Sequence, residues 1–421
     1  MNRILLAILL LSTGLLTAQE SEWGINFNGF VKTDANFDTR ESVTIREGHF
    51  LLYPTPEKLD PKGNDINAHP QFNILSIQTR LTGKITAPDF LGAKTSGVLE
   101  GAFFGHSDSD INGFRLRHAF LNLDWGNSEL IIGQYWHPMF VLEAFPQVVS
   151  FNTGVPFQPF ARNPQIKFTQ HFNKVRFALS AATQRDFASI GPNPADYSSS
   201  VTNSIFLRNA VVPMMHGELS YIGGGFRAGV IGGMKMLKPR LTDQAGNEVD
   251  EMISSIQGLG FVSIKGEDYL ISAQGMYSQN ATDLTTIGGF AYLSNDNGEW
   301  EYTNYNTMTA VLDCEYGKTF KVGLMGGFLQ NLGTDDDLTL TTVGENSSIT
   351  GPVWGRGTNI MNVIRISPRF VYQSGKVRLA SEFEWTKAAY GVGGTVDSKG
   401  IYDETTDVSN LRILLSAYLF F

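Results

Sequence analysis

Apolar and polar residues alternate with a period of two along most of this chain. In "NLRILLSAYLFF" one set is uniformly apolar: Leu411, Ile413, Leu415, Ala417, Leu419 and Phe421. The other set is mixed and includes Asn410, Arg412, Ser416 and Tyr418. Such alternation predicts a strand with one apolar face. "INFNGFVKTDANF" repeats the pattern, with Ile25, Phe27, Val31 and Phe37 opposite Asn26, Asn28, Lys32, Asp34 and Asn36. "LSIQTRLTGKI" sets Leu75, Ile77, Leu81 and Ile85 against Ser76, Gln78, Arg80 and Lys84. "KVRFALSAATQ" sets Val175, Phe177, Leu179 and Ala181 against Lys174, Arg176, Ser180 and Gln184. "KVRLASEFEW" sets Val377, Leu379, Phe383 and Trp385 against Arg378, Glu382 and Glu384.

The connections sort into two kinds. Tight junctions fall at 87–93, 125–128, 172–174, 223–225, 265–268, 316–318 and 373–376. Long polar or irregular segments fall between them, at 39–72, 106–112, 138–163, 185–211, 238–250, 281–304, 331–358 and 390–408. Eight long and seven short connections in strict alternation require sixteen strands. "TIGGFAYL" (286–293) also has strand character, but the even strand number of bacterial barrels keeps it inside a loop. The fold class is therefore all-β, a transmembrane antiparallel β-barrel with short periplasmic turns and long extracellular loops. In lipid, every backbone N–H and C=O must pair within the protein, and a closed sheet achieves this. A barrel of this size leaves an aqueous lumen.

The N-terminus agrees with export. "MNRILLAILLLSTGLLTAQ" has one early charge at Arg3, an apolar run and small residues, as a signal peptide at 1–18 with cleavage after Ala18. Residues 19–421 then form a single barrel domain. No later run approaches the roughly 20 apolar residues of a membrane helix. One cysteine, Cys314, precludes a disulfide framework. A net charge of −9 argues against nucleic acid as a partner.

Candidate chemistry is confined to the inner wall and one loop. Parity puts Lys32, Arg80, Lys84, Arg176, Arg365 and Arg378 on polar faces, with Asp34, Glu100, Glu382 and Glu384. Basic groups facing acidic ones set ion preference in channels. Arg115 and Arg117 share the parity of Leu121 and Leu123, whereas His118 has the opposite parity. Two arrangements reconcile them: a β-bulge before Ala119 that turns the arginines inward, or arginines lying beyond the hydrocarbon at the strand's outer end. The apolar, Pro-rich segment 138–163 reads either as a loop folded inward to narrow the lumen, with Glu143, Gln158 and Arg162 as lining groups, or as a loop packed on the rim or a neighbour. "DSDING" (108–113) opens like a calcium loop, but its twelfth position is Ala119, so an acidic turn is expected. "TDDD" (334–337) reads as a solvated loop. The seven histidines are scattered, no hydrolase or phosphate-loop motif occurs, and neither a metal nor a cofactor is expected.

The blocks "GVLEGAFFG" (97–105), "FRLRHAFLNLDW" (114–125) and "IIGQYWHPMF" (131–140) resemble those of DcaP-like outer-membrane porins. "FNGFVKTDANFD" (27–38) and "TRLTGKI" (79–85) fit the same pattern; together these blocks span the first five strands. The resemblance implies a homotrimer of sixteen-stranded channels, arginines at the constriction (Arg115 and Arg117) and uptake of small, often anionic solutes. Two departures stand out: few residues separate Gln19 from Gly24, where the family often has a coiled coil, and "HPMF" follows the Gln-Tyr-Trp block. The expectation is a porin of the bacterial outer membrane, not an enzyme, giving passive, size- and charge-filtered diffusion of small hydrophilic solutes. Its pore-lining set is Lys32, Arg80, Lys84, Glu100, Arg115, Arg117, His118, Arg162, Arg176, Arg365 and Arg378. The alternatives are a plugged barrel serving secretion or surface partner binding, and an outer-membrane hydrolase.

Overall fold

The computed structural model describes residues 23–105, 107–243, 245–294 and 300–421. The expected signal peptide, 1–18, lies outside the described residues. Sixteen antiparallel strands form one closed circuit. They are β1 (Gly24–Asp38), β2 (in two pieces, Gln71–Leu75 and Arg80–Phe90), β3 (Ala93–Ala102), β4 (Arg115–Asp124) and β5 (Ser128–Trp136). Next come β6 (Arg162–Phe172), β7 (Val175–Ala182), β8 (Met214–Gly223), β9 (Phe226–Leu237), β10 (Ile253–Lys265) and β11 (Tyr269–Gln279). The circuit finishes with β12 (Trp300–Gly317), β13 (Phe320–Thr334), β14 (Ile360–Ser374), β15 (Val377–Gly391) and β16 (Thr405–Phe420). Short turns lie at one end and long loops, L1 to L8 in chain order, at the other.

Closure explains the apolar ending of the chain. β16 pairs with β1 from Phe30↔Phe420 to Asp38↔Arg412. Phe421 donates its N–H to the Gly29 carbonyl (3.1 Å) and accepts the Gly29 N–H in return (3.3 Å). A Cβ on Gly29 would lie 2.1 Å from the Arg80 carbonyl oxygen, so this three-strand seam requires glycine. Among the described strands of the circuit no edge is left unpaired, as a lipid-spanning sheet demands.

Side-chain parity divides the wall into two environments. Along β16, Leu415 is 56 % exposed on the outer face, whereas Ser416 beside it is 5 % exposed. Val31 and Phe37 on β1, Leu179 on β7 and Leu379 on β15 also point out. Exposed apolar side chains at alternate positions around the whole exterior are a lipid-facing belt. The inner face of the same strands carries Lys32, Asp34, Glu382, Glu384 and Arg412, all buried.

Two sequence expectations change. Leu75 and Ile77 face inward and join the interior apolar cluster, while Phe72 and Ile74 point out. The reason is a turn at Ser76–Thr79, closed by the Thr79 N–H to the Ser76 carbonyl, which interrupts β2 and swaps its faces. The stretch 286–293 does contain a strand, Gly288–Ser294. It pairs with the outer extension of β12 and with Val353–Arg356 in L7, above the barrel circuit. The count of sixteen therefore stands.

Candidate functional site

Two loops fold back against the inner wall. L3, between β5 and β6, buries Met139, Phe140, Val141, Val155, Phe157 and Phe160. Inward wall residues hold its backbone. Glu382 accepts the N–H groups of Val149 (2.6 Å) and Ser150 (2.8 Å), and Lys32 donates to the Val149 carbonyl (3.0 Å). Asp313 accepts the Gln147 N–H (3.0 Å), and Glu384 accepts the Asn152 amide (2.7 Å). Arg365 donates to the Val155 carbonyl (2.8 Å). The polar side chains of β1, β12, β14 and β15 thus satisfy a loop that would otherwise bury unpaired backbone.

L1 also turns inward, which its sequence pattern did not reveal. Its hairpin pairs Ser42–Ile45 with Phe50–Pro54 and buries Phe50, Leu51, Leu52 and Tyr53. Arg365 donates to the Leu52 carbonyl (2.7 Å) and Tyr390 to the Pro54 carbonyl (2.7 Å). His49 meets Asp34 at 2.7 Å. Burial in this setting pushes the Tyr53 phenol up to about 12. Phe50, Phe151, Phe157 and Phe160 from the two loops then pack with Leu75, Ile77, Met325 and Val363 of the wall. The run "HFLLYP" (49–54) was the available signal: five of six residues are apolar or aromatic in a segment otherwise polar. A dry core consequently fills the side of the lumen formed by β13 to β16, β1 and β2.

The wall on β2 to β6 carries a cluster of arginines. Lys94↔Asp124 to Glu100↔His118 pair in register along β3 and β4; Leu116 then pairs with Gly101, leaving Arg117 as the extra residue. This β-bulge brings Arg117 and His118 to the inner face together and keeps Arg115 inward. Arg117 Nε donates to Glu100 (2.7 Å), which also accepts from Thr82 (2.8 Å) and lies 3.6 Å from Arg80. Arg115 lies 2.9 Å from Asp186 of L4, and Arg162 forms a fork on the same carboxylate at 2.6 and 3.0 Å. Arg162 also lies over Trp136 (5.0 Å), and Arg46 of L1 sits over Phe104 (4.8 Å).

Burial alone would raise the Asp186 pKa, but Arg162 and then Arg115 outweigh it and hold the group well below the usual carboxylate range. Burial pulls the Arg46 guanidinium below its ordinary range, and Asp186 offsets part of that. At the start of L3, burial drives the His137 imidazole down to about 3, with Lys235 adding to it. His137 therefore stays neutral. Five arginines thus face two carboxylates, Glu100 and Asp186. Arg80 Nε, Arg115 Nε and Nη1, Arg117 Nη1 and Arg162 Nη1 are buried with no hydrogen-bond partner among the described residues, Arg115 Nη1 meeting Asp186 only as an ion pair.

The remaining expected lining residues separate into groups. Lys32 and Arg365 are sealed beneath L3 and L1, where they hold loops. Arg176 lines a chamber of about 190 Å³ under L3 with Lys167, His171, Glu143 and Glu218, and pairs with Glu143 at 2.6 Å. Arg378 lies near the short-turn end over Tyr418 and Phe420, bonded to Gln373. Lys84 is exposed toward the same end. On the outer side, a cavity of about 400 Å³ is lined by Arg46, Arg185, Asp186, Phe187 and Arg356. Arg46 and Asp186 escaped sequence reasoning because both lie on loops, where parity carries no information. The "DSDING" turn ties L2 to L1 through Asp108, which accepts the Glu47 N–H (3.0 Å). Among the described residues no cluster of three potential metal ligands occurs.

No family model matches the sequence, and no curated protein matches it. Solved structures do share its fold. The outer membrane channel DcaP of Acinetobacter baumannii superposes with a TM-score of 0.67 at 16 % identity, over 96 % of this chain and 99 % of that one. An anion-selective porin from Comamonas acidovorans gives 0.54 at 14 % identity, over 95 % and 100 %. OmpT of Vibrio cholerae in its trimer form gives 0.55 at 10 % identity, over 95 % and 100 %. At these identities the likeness establishes the fold: a sixteen-stranded barrel of the kind found in outer-membrane porins.

Proposed function

We propose that this protein is an outer-membrane porin that passes small hydrophilic solutes by diffusion and favours anions. The observation that carries this reading is the charge imbalance on the β2–β6 face. Arg46, Arg80, Arg115, Arg117 and Arg162 oppose Glu100 and Asp186, and five guanidinium nitrogens there have no hydrogen-bond partner among the described residues. Buried donors without acceptors are costly unless a ligand or water supplies one. An anion moving past this face would receive forked, charge-assisted hydrogen bonds. L1 and L3 would set the size limit, since both fold against the inner wall. Solutes would enter through the outer cavity lined by Arg46, Arg185 and Arg356 and leave past Arg176, Lys84 and Arg378. No catalytic step belongs to this mechanism. A porin of the same fold is anion-selective and another forms a trimer, and both properties are proposed for this chain.

Swelling of proteoliposomes tests the reading. Small anions such as acetate should enter faster than cations of equal size, and neutral sugars should fall off steeply with mass. Equal rates for both charge signs would remove the charge filter from the account. A second reading is a plugged barrel that binds a surface partner. The dry core of Phe50, Phe151, Phe157 and Phe160 inside the lumen favours it, and the absence of any flux from a folded barrel would select it.

A further inference from the structure

We propose that Asp186 is a resident counter-ion, occupying a carboxylate site from which a permeating carboxylate displaces it. The inference rests on the anion-preferring reading above and adds the residue that restrains it. Asp186 lies on L4 between β7 and the hairpin Ile190–Asn193/Asp196–Thr202, not on a barrel strand. Its backbone tether here is a single long hydrogen bond, from its N–H to the Arg162 carbonyl (3.3 Å). Its side chain is held instead by Arg162, whose Nε and Nη2 both donate to one carboxylate oxygen, and by an ion pair between Arg115 Nη1 and the other oxygen. Two guanidinium groups on one carboxylate would hold a free carboxylate by the same charge-assisted contacts.

The site is larger than its present occupant. Arg115 Nε and Arg162 Nη1 donate to nothing around the Asp186 carboxylate. Arg46 approaches the same group from L1, with Asp108 as a further acidic neighbour of that arginine. Asp186 also lines the outer cavity of about 400 Å³, beside Arg46, Arg185 and Arg356. A carboxylate entering that cavity therefore meets Asp186 among guanidinium groups. Exchange of one carboxylate for another conserves the charge of the site and strands no buried guanidinium. In this arrangement Asp186 keeps the arginine site paired at rest, and sets the affinity a solute must exceed to enter.

The experiment compares Asp186→Asn with the wild type by reversal potential in a potassium chloride gradient across a planar bilayer. Removing one unit charge about 4 Å from a passing ion helps the anion and hinders the cation about fivefold each, even in a water-like medium, so the anion-to-cation permeability ratio should rise about 25-fold. Asp186→Glu should leave the ratio near its wild-type value. A wild type without anion preference would sink the underlying reading. An anion-selective wild type with an unchanged or lower ratio in Asp186→Asn would overturn the counter-ion assignment alone. The unmodified protein supplies a second readout, independent of how well the variant folds. Trp136 lies 5.0 Å from Arg162, so acetate titrated against chloride at constant ionic strength should change its emission saturably. Trp136→Phe should abolish that change. A flat titration of the wild type would also overturn the assignment.

Discussion

Replacing Glu382 by alanine should free the tip of L3 without opening the barrel. The carboxylate accepts two backbone N–H groups of the loop, from Val149 and Ser150, and a hydroxyl from Ser367 of the wall. All lie in buried surroundings, where a donor deprived of its acceptor costs about 1–3 kcal/mol. Two such donors give a loss of about 2–6 kcal/mol. Water entering the vacated space offsets part of it, leaving about 2–3 kcal/mol. Since about 1.4 kcal/mol is tenfold, the displaced conformation of the 147–152 segment should rise in population by about 30- to 140-fold. The rest of L3 stays anchored, because Arg365 still holds the Val155 carbonyl and Gln274 still meets Gln158 (2.7 Å). Single-channel recording reads this directly. Wild-type protein should show one quiet conductance level, and Glu382→Ala should flicker between that level and larger ones. Heat-modifiable mobility on a gel should remain normal. An unchanged trace from a folded Glu382→Ala barrel would refute the reasoning, since L3 would then not depend on this anchor.

Three further outcomes follow from the structure. Leu415→Arg places a charge on the lipid face of β16 and should destabilise the folded barrel by about 2–4 kcal/mol if the site is near the midplane, measured by urea titration in lipid vesicles. Deleting Phe421 removes the two hydrogen bonds to Gly29 that finish the seam, so the yield of heat-modifiable barrel should fall. Asp186 has a depressed pKa in the folded protein, so its stabilising effect is complete above the unfolded value of about 3.9. That effect fades as pH falls through the lower folded value. Acid titration of tryptophan emission should show a loss of loop order below about pH 4 that is smaller in Asp186→Asn.

What the sequence made legible was everything that depends on period and connection length. Strand parity placed Val31 outward and Lys32 inward because a pleated strand in lipid has only two environments. The conflict between Arg117 and Leu121 pointed to a bulge as one solution, and the register of β3 and β4 contains it. Parity failed where the strand stopped being a strand: the turn at Ser76–Thr79 reverses the faces on which Leu75 and Ile77 were expected. The inward fold of L1 was hidden for a different reason. Its partners are Arg365 and Tyr390, more than 300 positions away in the chain, and they bind carbonyl oxygens that every residue possesses. Asp186 was hidden likewise, since nothing in "QRDF" marks the aspartate as the partner of arginines on β4 and at the start of β6. Loop direction is fixed by tertiary contacts, which one-dimensional patterns do not carry.

The central claim is that a water path runs along an arginine-rich face beside a loop-filled half-lumen. Single-channel recording of the purified wild-type protein under a tenfold salt gradient addresses it most directly. The account predicts stable conductance with a reversal potential on the anion side. A folded, heat-modifiable barrel that conducts nothing, or one whose reversal potential lies on the cation side, would contradict it.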